Sequence, residues 1–562
     1  MRQVVQWTEN AKISIERGNV IKRWNRGNEL LKEAKVEKWM KMKMSEIPSI
    51  ECLDIEANKH LFKLLKDRNE NDARQIKAQA KMKQIEEMEK DDRNTKEFIS
   101  KAKIKSIKEK IEELEEEEEE EEGGNRKKKK KGKKEKREVK TVKDQEGMKR
   151  IAAEFYRKLW KKGNVSNRKR TEMMQKITRK LSEEEKTKCE GKIKKEEIAK
   201  IKMKMKKNKT AGIDGIPAEF WQKFAFLDEW LETVFEAAMQ QKKMSHSMRI
   251  AVVKVIFKKK DRKKFENYRP LSMLCTDYKL LAKILTERMK GVLTSVIEKD
   301  QQGFIFNGDI TGNLILVKEV IEYIEEEDLD GAIVMMDFMK AFDRIDRDVM
   351  FEVLERMNFG DMFVEYVKMM YNDVTAKIEI NGELTEEVET TRGMRQGCPL
   401  SPLLFICVLE LMAIEIRSNE NWEGIKEPIS EEEDKISLFA DDSAGIFAKP
   451  NTQLKHGRES VEKYKKTTDS RLHDTKTKIL PLGKTKANLL PNSRLQVEFE
   501  VMKNLDREKY LGDLLGHGIS EKERFKAGIE QMEETEKAWK KEKTTYFGRA
   551  VIFNNRFTVC RL

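Results

Sequence analysis

The sequence predicts an α+β protein built on a mixed or antiparallel sheet. Three observations carry this. Beyond residue 148, helix-period and strand-period segments alternate with no regular βαβ array and no internal repeat. Two alternating apolar segments, Ile436 to Ala440 and Ala444 to Ala448, flank adjacent acids and read as a hairpin with Asp441 and Asp442 at its tip. Aromatic residues, 7% of the chain, concentrate after about residue 150, which places the packed core there.

Taken in order, residues 1 to about 140 are mostly Lys, Glu and Asp. Ile104, Ile107, Ile111 and Leu114 keep heptad spacing for two turns only, fewer than the three or four heptads a coiled coil needs. A glutamate run, Glu115 to Glu122, then Gly123-Gly124 and a basic run from Arg126 to Lys131 follow. Blocks of like charge bury little, so residues 1–146 are expected to be a charged linker, helical or disordered. The basic block fits a nuclear-import or nucleic-acid patch, or a block neutralised by the acidic one beside it. Ile151, Phe155, Tyr156 and Leu159 recur at helical spacing and predict an amphipathic helix over 147–161. A Lys-rich helical pattern runs on to about residue 210. Strands are expected at 250–257, 332–337 and 376–380, and helices at 277–293, 312–326 and 400–418, the last marked at its entry by Pro402.

Lys and Arg number 116 against 102 Asp and Glu, a formal charge of +14 and a pI near 9.1. That excess favours a polyanionic partner, nucleic acid before membrane, although 39% charged residues also describe solvated helices. Six cysteines are scattered without a Cys-x-x-Cys pair or a histidine at zinc-finger spacing, the usage of reduced intracellular thiols. No apolar run approaches ~18 residues and the first ten residues lack a signal core, so neither secretion nor a membrane span is expected.

Adjacent carboxylates beside a buried strand raise each other's pKa, and a divalent metal removes the conflict. Another buried-looking strand, Ala332 to Asp337, also ends in an acid. Asp337, Asp441 and Asp442 would then converge on two Mg2+ ions, ~4 Å apart, an arrangement suited to in-line phosphoryl transfer. The competing reading of Asp441-Asp442 alone is an ordinary turn pair.

The companions decide between these. Asp337-Phe-Met-Lys-Ala-Phe-Asp343, Arg392-Gly-Met-Arg-Gln-Gly-Cys-Pro-Leu-Ser-Pro402 and Phe439-Ala-Asp-Asp442 occur in that order, preceded by Lys209-Thr-Ala-Gly-Ile-Asp-Gly-Ile-Pro217 and Asn267-Tyr-Arg-Pro-Leu-Ser272. From about residue 148 onward this series resembles the reverse transcriptase of LINE-type non-LTR retrotransposons. The resemblance implies a right-hand polymerase of fingers, palm and thumb. Its parts would be an N-terminal extension over 147–238, fingers and palm over 239–516, and a truncated helical thumb over 517–562. It also implies RNA-directed DNA synthesis, with an RNA template, a DNA primer and deoxynucleoside triphosphates as partners. The place of action would be a ribonucleoprotein in nucleus or cytoplasm. No endonuclease-like acid–histidine cluster precedes the polymerase motifs, so nicking would fall to a separate endonuclease. The series is expected to be a fragment of a retroelement polyprotein.

The same resemblance implies residue roles. Asp337 and Asp441 would hold metal, with Asp442 beside the primer end. Lys258, Lys259 and Arg269 would neutralise the triphosphate. Phe338 and Phe342 would line the nucleotide site, Phe342 excluding a 2′-hydroxyl or serving as core. Gln396 and Gly397 would lie against the incoming nucleotide, and Arg395 would meet phosphate or template backbone. Lys476 resembles the lysine that protonates leaving pyrophosphate, within a segment shorter than the family's Gly-Leu-x-x-Asn pattern. Asp343 is expected to pair locally, Cys398 to pack, and Lys260 to Lys264 to touch nucleic-acid backbone or solvent. Lys509-Tyr-Leu-Gly512 reads as a primer-grip turn or a plain hairpin. Asp309 stands where the family places an arginine. A catalytically inactive nucleic-acid-binding relic and a maturase-like splicing partner are the rival readings.

Overall fold

The computed structural model describes residues 110–116 and 141–517, apart from 259, 306–307, 427–431, 474–475, 496, 498 and 504–505, together with 519 and 523. The expectations for most of the N-terminal linker and for the thumb lie outside these residues. They fall into two compact units, a larger one over 111–500 and a smaller one that includes 501–517.

Order in the larger unit begins earlier than the charge pattern suggested. Strand β1 (Leu114–Glu115) pairs antiparallel with β2 (Thr141–Val142), and Leu114 is fully buried. One apolar side chain inside a glutamate-rich stretch is buried, with backbone pairing around it, within the region expected to be linker. Helix α1 (Gln145–Trp160) follows, capped by the Asp144 carboxylate accepting from Gly147 N, and it turns Ile151, Tyr156, Leu159 and Trp160 inward. Between 161 and 210 the Lys-rich pattern forms three short helices, Asn167–Met174, Glu183–Cys189 and Lys195–Met203.

Next come β3 (Ile250–Phe257), β4 (Tyr268–Met273), α2 (Thr276–Lys290), α3 (Ile310–Glu326), β5 (Asp330–Asp337), β6 (Thr375–Ile380), α4 (Ser401–Arg417), β7 (Ile436–Phe439), β8 (Asp442–Phe447), α5 (Pro450–Thr468) and β9 (Lys478–Gly483). Of these, β3, α2, α3, β5, β6, α4, β7 and β8 agree with the expected elements to within a few residues at each end; β4, α5 and β9 have no counterpart among the elements expected from the sequence. The hairpin strand stops at Phe439 because Ala440 takes a left-handed φ of 58° and begins the turn.

Two sheets organise the larger unit. In one, β8 pairs antiparallel with β7 on one side and β5 on the other, and β5 pairs antiparallel with β9. In β5, Gly331 to Met336 are all buried, the continuous apolar run of a strand covered on both faces. The second sheet is mixed: β3 pairs antiparallel with β4 and parallel with β6. Helix α4 is buried on nearly every side, from Leu403 through Ile416, and forms the centre of the core. Asp309, standing where the resemblance expects an arginine, caps α3 by accepting from Thr311 N. In the smaller unit, Glu508–Tyr510 pairs with Asp513–Leu515 around a Leu511-Gly512 turn.

Candidate active site

Antiparallel register sets Asp442 directly opposite Asp337, and residues paired across neighbouring strands share a face with Cβ atoms about 5 Å apart. Asp441 precedes them at the turn, so three acids stand at one end of one sheet. Asp337 also accepts from Lys476 Nζ at 2.7 Å, and both side chains remain partly exposed. Asp442 keeps an exposed surface, yet its carboxyl is pushed up to about 6. Crowding by surrounding protein contributes most, followed by the charges of Asp441 and Asp337, while Lys258 opposes them.

The cations are delivered by the β3–β4 hairpin. Lys258 leaves β3 with its backbone N–H bonded to Asn267 O at 3.0 Å, and Arg269 lies on β4 opposite Ile256; both are exposed. Lys259 lies outside the described residues. Lys340, quoted in the motif but given no role from sequence, ties this hairpin to the acids. It sits three residues beyond Asp337 at a left-handed φ of 51° and donates to Tyr268 O at 2.8 Å. Burial lowers its pKa and Lys258 and Arg269 lower it further, against the pull of Asp343 and Glu266. Three cations therefore crowd the same side of the acid cluster. The left-handed backbone at a lysine was the detectable signal only in three dimensions.

The 392–397 loop joins the two sheets. Met394 N donates to Phe342 O at 2.7 Å, and Ser272 N donates to Gln396 O at 2.8 Å. Gly397 has a φ of 109°, and a Cβ there would meet Ser272 O at 2.6 Å, so only glycine fits this approach. Gln396 Nε2 donates to Asp343 Oδ2 at 2.9 Å, and Trp160 Nε1 donates to Asp343 Oδ1 at 3.1 Å. Burial pushes Asp343 up to about 6 against those two donors. Local pairing is thus the role of Asp343.

Arg395 departs from its expected phosphate contact. It is buried, donates to the carbonyls of Met248 and Arg249, and lies over the Tyr278 ring at 4.9 Å. A guanidinium engaged by two interior carbonyls is not available to a template. Phe338 is likewise buried, edge-on to Tyr464 with centroids 6.0 Å apart, and Leu472 bridges its backbone. It supports the floor of the site instead of lining it. Phe342 is half-buried and stacks on Phe405 at 4.5 Å, which fixes its ring. Cys398 is buried, as its packing role requires.

Among the described residues, one group of three metal-capable side chains closes to within 4.8 Å: Asp214, Cys275 and Asp277. It is already answered from within the protein. Cys275 donates to Ser247 O, burial holds its thiol well above the ordinary range, and the charges of both acids act on Lys279. The three acids at the sheet end differ in keeping exposed surface, and Asp442 feels the charges of Asp441 and Asp337, a repulsion that a divalent cation would relieve.

The sequence profile of the reverse transcriptase (RNA-dependent DNA polymerase) family matches residues 257–542, about half of the chain. The protein belongs to this family. The match spans β4, the acid-bearing strands and the 392–397 loop. Among curated relatives, the chain is 29% identical over 360 residues to the Transposon TX1 uncharacterized 149 kDa protein of Xenopus laevis, covering 64% of this chain and 27% of that one. It is 28% identical over 177 residues to the Pol polyprotein from a type-1 retrotransposable element R2 of Popillia japonica, 31% of this chain and 24% of the relative. Over 169 residues it is 30% identical to the R2DM Pol polyprotein of Drosophila melanogaster, 30% of this chain and 16% of the relative. The chain spans about a quarter or less of the length of these relatives, which mark this reverse transcriptase as one of the non-LTR retrotransposon type. Among the described residues, no helix is long and apolar enough to cross a membrane.

Proposed function

We propose that this reverse transcriptase extends a DNA primer on an RNA template. The single observation that carries this is the register placing Asp442 opposite Asp337 with Asp441 at the adjoining turn. On this reading the antiparallel sheet is the palm and the β3–β4 hairpin belongs to the fingers of a right-hand polymerase. Residues 147–238 are its N-terminal extension, 239–516 its fingers and palm, and 517–562 its thumb.

Asp337, Asp441 and Asp442 would hold two Mg2+ ions, which supply Lewis-acid polarisation at the reacting phosphate and neutralise the departing pyrophosphate. The push on Asp442 to about 6 fits such a site, because crowded carboxylates gain from a divalent charge. Lys258 and Arg269 neutralise the triphosphate of the incoming deoxynucleotide, joined by Lys259, and Lys340 keeps their hairpin against the acid strand. Phe342, braced by Phe405, offers a rigid ring where a ribose 2′-hydroxyl would sit. Gln396, held by Asp343, and Gly397 form the wall against the nucleotide. Lys476 holds a proton within reach of Asp337 and donates it to the leaving group. A nicking endonuclease activity supplies the primer, and the complex works as a ribonucleoprotein in nucleus or cytoplasm.

Primer extension by the purified chain on an RNA template with Mg2+ tests this directly. Template-dependent incorporation by wild type, lost in Asp441→Asn, is expected. Equal extension by that variant would overturn the assignment of the site. Salt-dependent nucleic-acid binding with no incorporation would favour the inactive relic.

A further inference from the structure

The hairpin carrying Asp441 and Asp442 is held from outside by a segment that is part of neither sheet. Residues 300–303 run alongside β7 in parallel: Leu438 N donates to Asp300 O at 2.8 Å, and Gln302 N donates to Leu438 O at 3.0 Å. Between these two bonds, Gln301 turns its side chain inward and is 2% exposed. Its Oε1 accepts from Gly303 N at 2.8 Å and from Ala440 N at 3.1 Å. Ala440 is the left-handed residue that starts the turn, immediately before Asp441. The amide orientation is fixed by this pair of donors, since a flipped amide would set NH2 against two N–H groups. Gln301 Nε2 has no partner among the described residues. A glutamine with an orphaned buried donor is a poor packing residue, so the acceptor end is what the position requires.

Two further contacts close the clamp. A Cβ at Gly303 would lie 2.3 Å from Ala440 N, so the segment approaches the turn as closely as backbone allows. Asn313 on α3, 3% exposed, donates to Ser437 Oγ at 2.9 Å and to Leu438 O at 2.8 Å.

We propose that Gln301 is a positioning residue for Asp441 and Asp442, its side-chain carbonyl pinning the Ala440 amide so that the acid turn keeps one conformation. The inference rests on the proposed polymerase reading for its catalytic consequence, though not for the clamp itself. Gln301→Met keeps length and volume and removes the acceptor; Gln301→Glu keeps an acceptor oxygen for both amides but exchanges the unpartnered donor for a second carboxyl oxygen, charged when ionised.

Hydrogen exchange across the 436–447 hairpin, Mn2+ affinity by electron paramagnetic resonance, and steady-state primer extension are measured on the full chain. Gln301→Met should raise hairpin exchange selectively, weaken Mn2+ binding, and lower kcat by about 10- to 100-fold with KM for nucleotide little changed, as expected when a reacting group is displaced by about 1 Å. Gln301→Glu should recover most of the protection and Mn2+ affinity. Unchanged hairpin exchange in Gln301→Met would overturn the proposal. So would faster exchange with wild-type Mn2+ affinity. Should Gln301→Met fail to fold, recovery in Gln301→Glu decides the matter by itself. A wild-type chain that binds Mn2+ but incorporates no nucleotide would refute the polymerase reading and leave the exchange and Mn2+ arms to judge the clamp.

Discussion

Asp442 and Asp343 are both carboxyls pushed up to about 6, and their surroundings differ in every other respect. Asp343 lies in the interior with one indole N–H and one amide N–H aimed at its two oxygens. Asp442 stands at an open sheet end beside two more acids. Burial raises both; two donors answer Asp343, whereas at Asp442 the neighbouring acids add to the rise and the Lys258 charge opposes it. An unanswered charge at the surface marks chemistry, whereas an answered one in the core marks architecture.

Substitutions should separate the two. The largest effect is expected from Asp441→Asn, which should lower incorporation by about 10³-fold or more, since metal charge stabilisation is worth several kcal/mol. Thermal unfolding should show an unchanged or slightly raised Tm, because a repulsive carboxylate is removed. A large fall in Tm would mean the acid is structural after all.

Lys476→Ala removes the cation bonded to Asp337 and should lower kcat by about 10²-fold. KM for nucleotide should be less affected. A kcat equal to that of wild type would place Lys476 outside proton transfer.

Asp343→Asn sets an NH2 group against one of two donors and should destabilise the fold by about 1–3 kcal/mol in denaturant unfolding. Its pH dependence has a definite sign. Between the ordinary value of 3.8 and about 6 the folded protein keeps a proton that the unfolded chain releases, so wild-type stability falls as pH rises through that window. The variant lacks this slope, and its disadvantage should shrink by up to roughly 3 kcal/mol from pH 4 to 7. A constant difference would show that Asp343 is ionised throughout. The smallest effect is expected from Asp309→Ala, a lost cap worth about 1 kcal/mol with incorporation unaltered, checked by Tm and primer extension.

Much of the acid site was legible because it is written in period-two apolar runs ending in carboxylates, and a strand pattern fixes which face a residue takes. The extents of β3, β5, β6 and α4 followed for the same reason. Arg395 was misread because the direction of a long side chain in a loop depends on which carbonyls the fold brings near, here those of Met248 and Arg249. Lys340 and Gln301 escaped because their partners, Tyr268 and Ala440, lie far off in the sequence. Leu114 was hidden by the glutamates around it. Phe338 was read as lining from its place in the motif, but Tyr464 on a later helix turned it into support.

The parallel pairing of β3 with β6 has a consequence for synthesis. The whole acid-bearing strand β5 lies between them in the chain, and α1 can accept from Arg392 and donate to Asp343 only once that later sequence exists. A nascent polypeptide leaving the ribosome must therefore wait, with one edge of β3 unpaired until residue 380 and the C-terminal end of α1 without its Arg392 contact until residue 392 has emerged. Such non-local closure makes for slow maturation and aggregation-prone intermediates, so expression of the first half alone should yield insoluble material.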